Sequence, residues 1–286
     1  MILAFLLSVN VVCATDLRTV IDHRINEFKA ETVGVYYEAP DGTTFTYNPD
    51  VVMHAASTMK VPVMMEAFRQ AEAGKLDLHQ QVAIKNEFAS IVDGTPFSLS
   101  KDDDSDQELY SHIGQQMPFL TLMERMINSS SNLATNIIIQ IVGPQNVMNL
   151  MKEIGVRDMT VLRGVEDNKA YEAGRNNTTS ARALGLCLKA ILDPKLFHKE
   201  SREEMFRILL SQKFQEIGEA VRRTNPSLQV ASKDGFITAI HHDAAIVRDG
   251  KGKDTILVIL TRGVQDDKAG EKFVGVLAGD IWAHFH

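Results

Sequence analysis

The sequence predicts an α+β fold: a five-stranded antiparallel sheet with terminal helices and an inserted all-helical middle. Three observations predict it. Strand-like runs occur at both ends of the chain, the residues between them have helical periodicity, and each end also carries a helix. Strands from both ends can join in one sheet if the middle leaves and returns. Such an arrangement leaves a cleft between sheet and insert, a common place for a small-molecule site.

The chain begins "MILAFLLSVNVVCATD", with an apolar run too short to span a bilayer. Residues 1–14 read as a signal peptide cut near Ala14–Thr15, although the usual basic start is missing. An exported protein, periplasmic or secreted, is therefore expected. Residues 15–286 are expected to form one catalytic domain, with a sheet part at about 15–56 and 215–286 and a helical part at about 57–214. Residues 16–30 place Leu17, Val20, Ile21, Ile25 and Phe28 on one helical face. Two strands, "TVGVYYEA" and "TFTYN", flank the turn "PDG". The helical middle includes "MKVPVMMEAFRQAEAG", with Gly74 as its C-terminal stop, and "LTLMERMIN". The last strands are "GFITAI", "DAAIVRD" and "TILVILTRG", before a closing helix from about Lys268 to Ala283.

With 44% hydrophobic and 23% charged residues the composition is that of a globular protein, and a net charge of −7 argues against nucleic-acid binding. There is no G-x-S-x-G, G-x-G-x-x-G or Walker-type loop. Of the two cysteines, Cys13 leaves with the signal peptide, and Cys187 lies in the apolar-periodic "ARALGLCLKAIL" as a small core residue. "HHD" at 241–243 is not expected to bind metal, because adjacent strand residues point to opposite faces. His241 is read as the one facing substrate. The acidic run "KDDDSDQE" at 101–108 reads as a solvated loop that can border the cleft, with Phe97 at its mouth.

"HAASTMKVP", at 54–62, puts Ser57 three residues before Lys60 at a helix start. Residues i and i+3 share a helical face, so the amine can sit beside the hydroxyl and take its proton. Alone, the pair also reads as an N-cap serine and a solvated lysine. "NSSSNLATN" contains Ser130 and Asn132 one residue apart, a hydroxyl to pass a proton and an amide to bind a substrate amide. Alone it reads as an N-cap cluster. "SKDGFITAIHHDAAIV" places Lys233 and Gly235 at a strand start, a fixed charge and an opening for close approach. Together, in this order, the three motifs make a set far less ordinary than any one of them.

The chain here resembles the penicillin-recognising serine hydrolases, in particular the class A β-lactamases, from about residue 17 to the end. The resemblance implies that Ser57 is acylated, with Lys60 as its proton partner and Ser130 as the relay to the leaving nitrogen. It also implies that Asn132 binds the substrate amide, that Lys233 supports charge, and that the N–H groups of Ser57 and Phe236 form the oxyanion hole. One such donor is typically worth roughly 100- to 1000-fold in rate. Residues 163–185 look like the branch's Ω-loop, with Glu166 as base for the deacylating water.

Three residues depart from the branch pattern. Ala170 stands where an Asn helps hold the water, Asn177 stands where an Asp pairs with Arg163, and Asp234 stands where a Thr or Ser hydroxyl holds the substrate carboxylate. Two carboxylates ~4 Å apart repel by ~4 kcal/mol at an effective dielectric near 20. The reading adopted is an exported serine hydrolase that opens β-lactam amides, a monomer acting on a small molecule without a cofactor. Two others stay open: a D-alanyl-D-alanine peptidase-like or other amide/ester hydrolase with slow deacylation, and a non-catalytic β-lactam or peptidoglycan-fragment binding protein.

Overall fold

A strand covered on both faces reads as a continuous apolar run, and "TILVILTRG" does so because helices cover both sides of its sheet. The computed structural model describes residues 16–286, so the expected signal peptide lies outside the described residues. Helix α1 (Leu17–Phe28) leads into β1 (Thr32–Glu38) and β2 (Thr44–Tyr47). The helical middle holds α2 (Lys60–Glu72), α3 (Phe119–Asn128), α4 (Asn132–Val142), α5 (Pro144–Glu153), α6 (Asn168–Glu172), α7 (Ala181–Leu192) and α8 (Lys199–Leu210). Helix α9 (Glu216–Arg222) then precedes β3 (Gln229–Ile237), β4 (Ile240–Arg248), β5 (Asp254–Arg262) and α10 (Asp267–Phe285).

The five strands form one antiparallel sheet in the order β2-β1-β5-β4-β3. The first and last segments of the chain meet at its centre, where Val35 pairs with Ile259. Val33, Val35, Tyr37, Ala245, Val247 and Leu257 pack against α1, α9 and α10 on one face. Tyr36, Ala244, Ile246, Val258 and Leu260 join the larger core shared with the helical middle.

Helix α2 stops as the sequence indicates. Gly74 has φ +69°, its N–H reaches Ala71 O, and the Lys75 N–H reaches Gln70 O. The hairpin near the site differs from expectation. The run "GFITAI" is divided: β3 starts at Gln229, and Thr238 and Ala239 form a two-residue turn in which Ala239 has φ +60°. Lys233 and Gly235 therefore lie inside β3, an edge strand, rather than at a strand start. The short pairing of Met53–His54 with Thr178–Thr179 ties the chain before Ser57 to the end of the loop carrying Glu166. Among the described residues no helix is long and apolar enough to cross a membrane.

Candidate active site

Ser57 sits in a 3₁₀ turn, Ala56–Met59, that runs directly into α2. The turn is tightly held. His54 Nδ1 accepts the Ala56 N–H at 3.0 Å, and the Thr58 hydroxyl donates to Ala55 O at 2.6 Å. A β-carbon on Gly235 would lie 2.9 Å from Thr58 Cγ2 and 3.2 Å from Ala55 O, so this glycine lets β3 press against the Ser57 turn itself. Ala56, Ser130 and Glu166 all have φ between +46° and +59°, a conformation costly for residues with a β-carbon, and all three line the cleft.

Lys60 is fully buried behind Ser57. Its amine donates to Ser130 O (2.6 Å), Ser130 Oγ (3.2 Å) and Asn132 Oδ1 (3.1 Å), but not to Ser57 Oγ. Burial, reinforced by the Lys233 charge, lowers its pKa to about 7. Lys233, also buried, donates to Ser130 Oγ at 3.1 Å. The Ser130 hydroxyl thus lies between two amines. Asn132 Nδ2 donates to Glu166 Oε1 at 2.8 Å, so one amide joins the Lys60 side of the cleft to the loop. Burial raises the Glu166 pKa above the usual carboxylate value, against the lowering effect of that hydrogen bond.

The loop from 163 to 177 closes without an ion pair. Asn177 Oδ1 accepts the N–H of Leu162 (2.8 Å) and of Arg163 (3.3 Å), while its Nδ2 donates to Arg163 O (2.9 Å). The Arg163 guanidinium spends its donors on Arg175 O, Gly164 O and Asn176 Oδ1. Ala170 is buried in α6.

Two sequence readings need correction. Phe97 packs against Phe88, with ring centroids 5.8 Å apart, and does not line the cleft. The acidic run is only partly solvated. Asp106 pairs with Arg125 at 2.8 Å, and Asp104 is buried with Oδ2 accepting the N–H groups of Asn132 (3.0 Å) and Leu133 (2.9 Å) and the Tyr110 hydroxyl (3.1 Å). A carboxylate at a helix N-terminus is favoured by the helix dipole. Class A enzymes carry S-D-N at this motif. This chain has Ser131 in the middle, and the carboxylate beside Asn132 comes from Asp104, twenty-eight residues earlier. The acidic run hid it, since nothing local distinguishes Asp104 from Asp102 or Asp103.

His241 and His242 do point to opposite faces. His242 is buried and bonds His54 O (3.0 Å) and the Thr261 N–H (3.2 Å). His241 lines the cleft beside Phe236, with centroids 5.1 Å apart. Cys187 is buried, which raises its thiol pKa to about 12. The structure thus gathers Ser57, Ser130, Asn132, Glu166, Asp234, Gly235, Phe236 and His241 along one cleft of about 690 Å³, with Lys60 and Lys233 buried behind it. Thr58, Gln212 and Glu216 were not singled out by sequence, though each contacts or lines this site.

Known proteins share this fold. A β-lactamase from Rhodobacter capsulatus is 25% identical over 185 residues, 64% of this chain and 59% of that protein, so the match spans about three fifths of the relative's length. The crystal structure of a β-lactamase from Sphaerobacter thermophilus matches with a TM-score of 0.80 at 23% identity, covering 93% of this chain and 97% of that one. The structure of PBP-A matches with a TM-score of 0.78 at 22% identity, covering 95% and 96%. At these identities the structures establish the fold. The family itself rests on a sequence model described as the β-lactamase enzyme family, which matches residues 14–285, and to that family the chain belongs.

Proposed function

We propose that the protein is a serine hydrolase that opens β-lactam amide bonds through an acyl-enzyme on Ser57. The observation that carries this reading is the position of the Lys60 amine, buried, with a pKa near 7, one turn from Ser57 and bonded to Ser130 and Asn132. An amine of that pKa is about half neutral at neutral pH and serves as a base. In this reading Lys60 takes the Ser57 proton as Oγ attacks the lactam carbonyl. Ser130, between Lys60 and Lys233, passes a proton to the leaving nitrogen as the C–N bond breaks. The N–H groups of Ser57 and Phe236 hold the oxyanion. Glu166 then takes a proton from water, which attacks the ester, and the proton returns to Ser57 Oγ. Export through the first fourteen residues and action as a monomer belong to the same reading, as does protection of a cell against β-lactams.

A second reading, a hydrolase that acylates and deacylates slowly, is favoured by one observation. Asn132 is the side chain that bonds Glu166, and buried Ala170 adds no second amide to hold water there. Stopped-flow kinetics with a chromogenic cephalosporin, paired with intact-protein mass, tests both. Many turnovers with a transient adduct on the Ser57 peptide support the first reading. A stoichiometric burst and lasting adduct support the second. An adduct that persists in Ser57→Ala overturns both.

A further inference from the structure

The inner end of the cleft carries the charge that suits a cation. Strand pairing sets Asp234 opposite Asp243 and Phe236 opposite His241, so all four share the sheet face covered by α9 and α10. Glu216, in the first turn of α9, and Glu271, near the start of α10, complete the lining beside Asp234 and His241. Asp234 Oδ1 accepts from Lys233 and from Gln212 Nε2 (3.0 Å). Among the described residues its Oδ2 has no hydrogen-bond partner, and it keeps access to solvent.

Among the described residues lining the cleft, no Lys or Arg is free to receive a carboxylate. Lys233 is buried and held by Asp234 and by Ser130 Oγ. Among the described residues Arg163 is the one Arg or Lys lining the cleft, and its guanidinium is bound within the loop. Three side chains here, His241, Glu216 and Asp243, instead hold buried polar atoms with no hydrogen-bond partner among the described residues. His241 is 4% exposed, its ring packed on Gly270, and among the described residues neither ring nitrogen has a hydrogen-bond partner, Asp267 Oδ1 standing 3.9 Å from Nε2. Glu216 Oε2 and Asp243 Oδ1 are likewise buried without one. Buried polar atoms without partners are rare in native proteins, and here His241 and Glu216 line the same cleft as the open carboxylate oxygen of Asp234. Burial and the neighbouring carboxylates raise Glu216 to about 7, as expected where negative charge lacks a counter-ion.

We propose that Asp234, Glu216, Glu271 and His241 form a subsite for a cationic group on the substrate, an ammonium or amidinium, where a carboxylate would otherwise be bound. The assignment rests on this cleft being the acyl-transfer site. It adds the substrate class: an acyl donor that carries a positive charge near the bond to be broken.

Three probes differ only at this group: benzylpenicillin, its methyl ester, and its 2-(diethylamino)ethyl ester, which are anionic, neutral and cationic. Binding is measured on Ser57→Ala, where the subsite is intact and no covalent step intervenes. The cationic ester is expected to bind roughly tenfold more tightly than the neutral one, with benzylpenicillin weakest, and the preference shrinks as salt is raised. Asp234→Asn and the exposed-surface change Glu271→Gln each reduce the preference for the cation over the neutral ester, the first by more. The same binding order in both variants, or tightest binding of benzylpenicillin, overturns the subsite. Acylation by the same probes is followed by mass on the parent protein. If none adds mass, the Ser57 reading fails, while the binding order on Ser57→Ala still decides the subsite.

Discussion

Replacing Asp104 by asparagine removes one negative charge from the N-terminus of α4 and leaves an oxygen to accept hydrogen bonds. In the parent, Oδ2 receives the N–H groups of Asn132 and Leu133 and the hydroxyl of Tyr110 within 3.1 Å, in a side chain that is 3% exposed. Hydrogen bonds to a charged group are worth roughly 1.5–3 kcal/mol each, and neutral ones about half of that. Losing the charge over three bonds, with some relaxation, gives about 2–3 kcal/mol. For a protein of this size that lowers Tm by roughly 4–12 °C. A second effect separates a positioning role from a merely structural one. The Asp104 charge raises the Lys60 pKa, against the burial that lowers it to about 7. Without that charge Lys60 loses its proton at lower pH, so the rising limb of acylation against pH moves towards acid. The assay is thermal unfolding by circular dichroism together with benzylpenicillin acylation by mass, from about pH 5 to about pH 9. A variant with an unchanged Tm and an unmoved limb refutes the reasoning.

Three further outcomes are expected. Ser57→Ala retains the fold and gains no mass from benzylpenicillin, whereas an adduct mapped to Ser130 or Ser131 contradicts the assignment. Glu166→Ala acylates near the parent rate and then stalls, a burst without turnover; parental turnover makes Glu166 only a loop residue. His242 is buried with its pKa lowered from 6.5 to about 4, because desolvation disfavours the charged ring. The unfolded chain therefore binds the proton first, and stability present above about pH 6.5 is lost as pH falls towards about 4, by about 3 kcal/mol at most. Denaturant midpoints across that window fall less steeply in His242→Gln, and equal slopes count against His242 as the source.

Local pattern alone determined much of this protein. Apolar periodicity and turn chemistry marked α1, the stop of α2 at Gly74, and the strands at both ends, because these depend on residues within a few positions of one another. The set Ser57-x-x-Lys60, Ser130-x-Asn132 and Lys233-x-Gly235 was legible for a similar reason: each motif is a short run with its own geometry. What the runs bond to was not legible. Lys60 reaches Ser130 and Asn132, some seventy residues away, instead of Ser57 Oγ, and Gly235 clears space for the Ser57 turn. Asp104 and Asp106 looked like a solvated charge run, yet folding buries both against partners from α3 and α4. Asn177 lacks the charge for an ion pair, and its amide closes the loop by meeting three backbone groups of 162 and 163. Hydrogen-bond donors find acceptors by distance in space, and a sequence records only distance along the chain. The charge around Asp234 follows the same rule, since Glu216, His241 and Glu271 come from three separate elements and meet only when α9 and α10 close over the sheet.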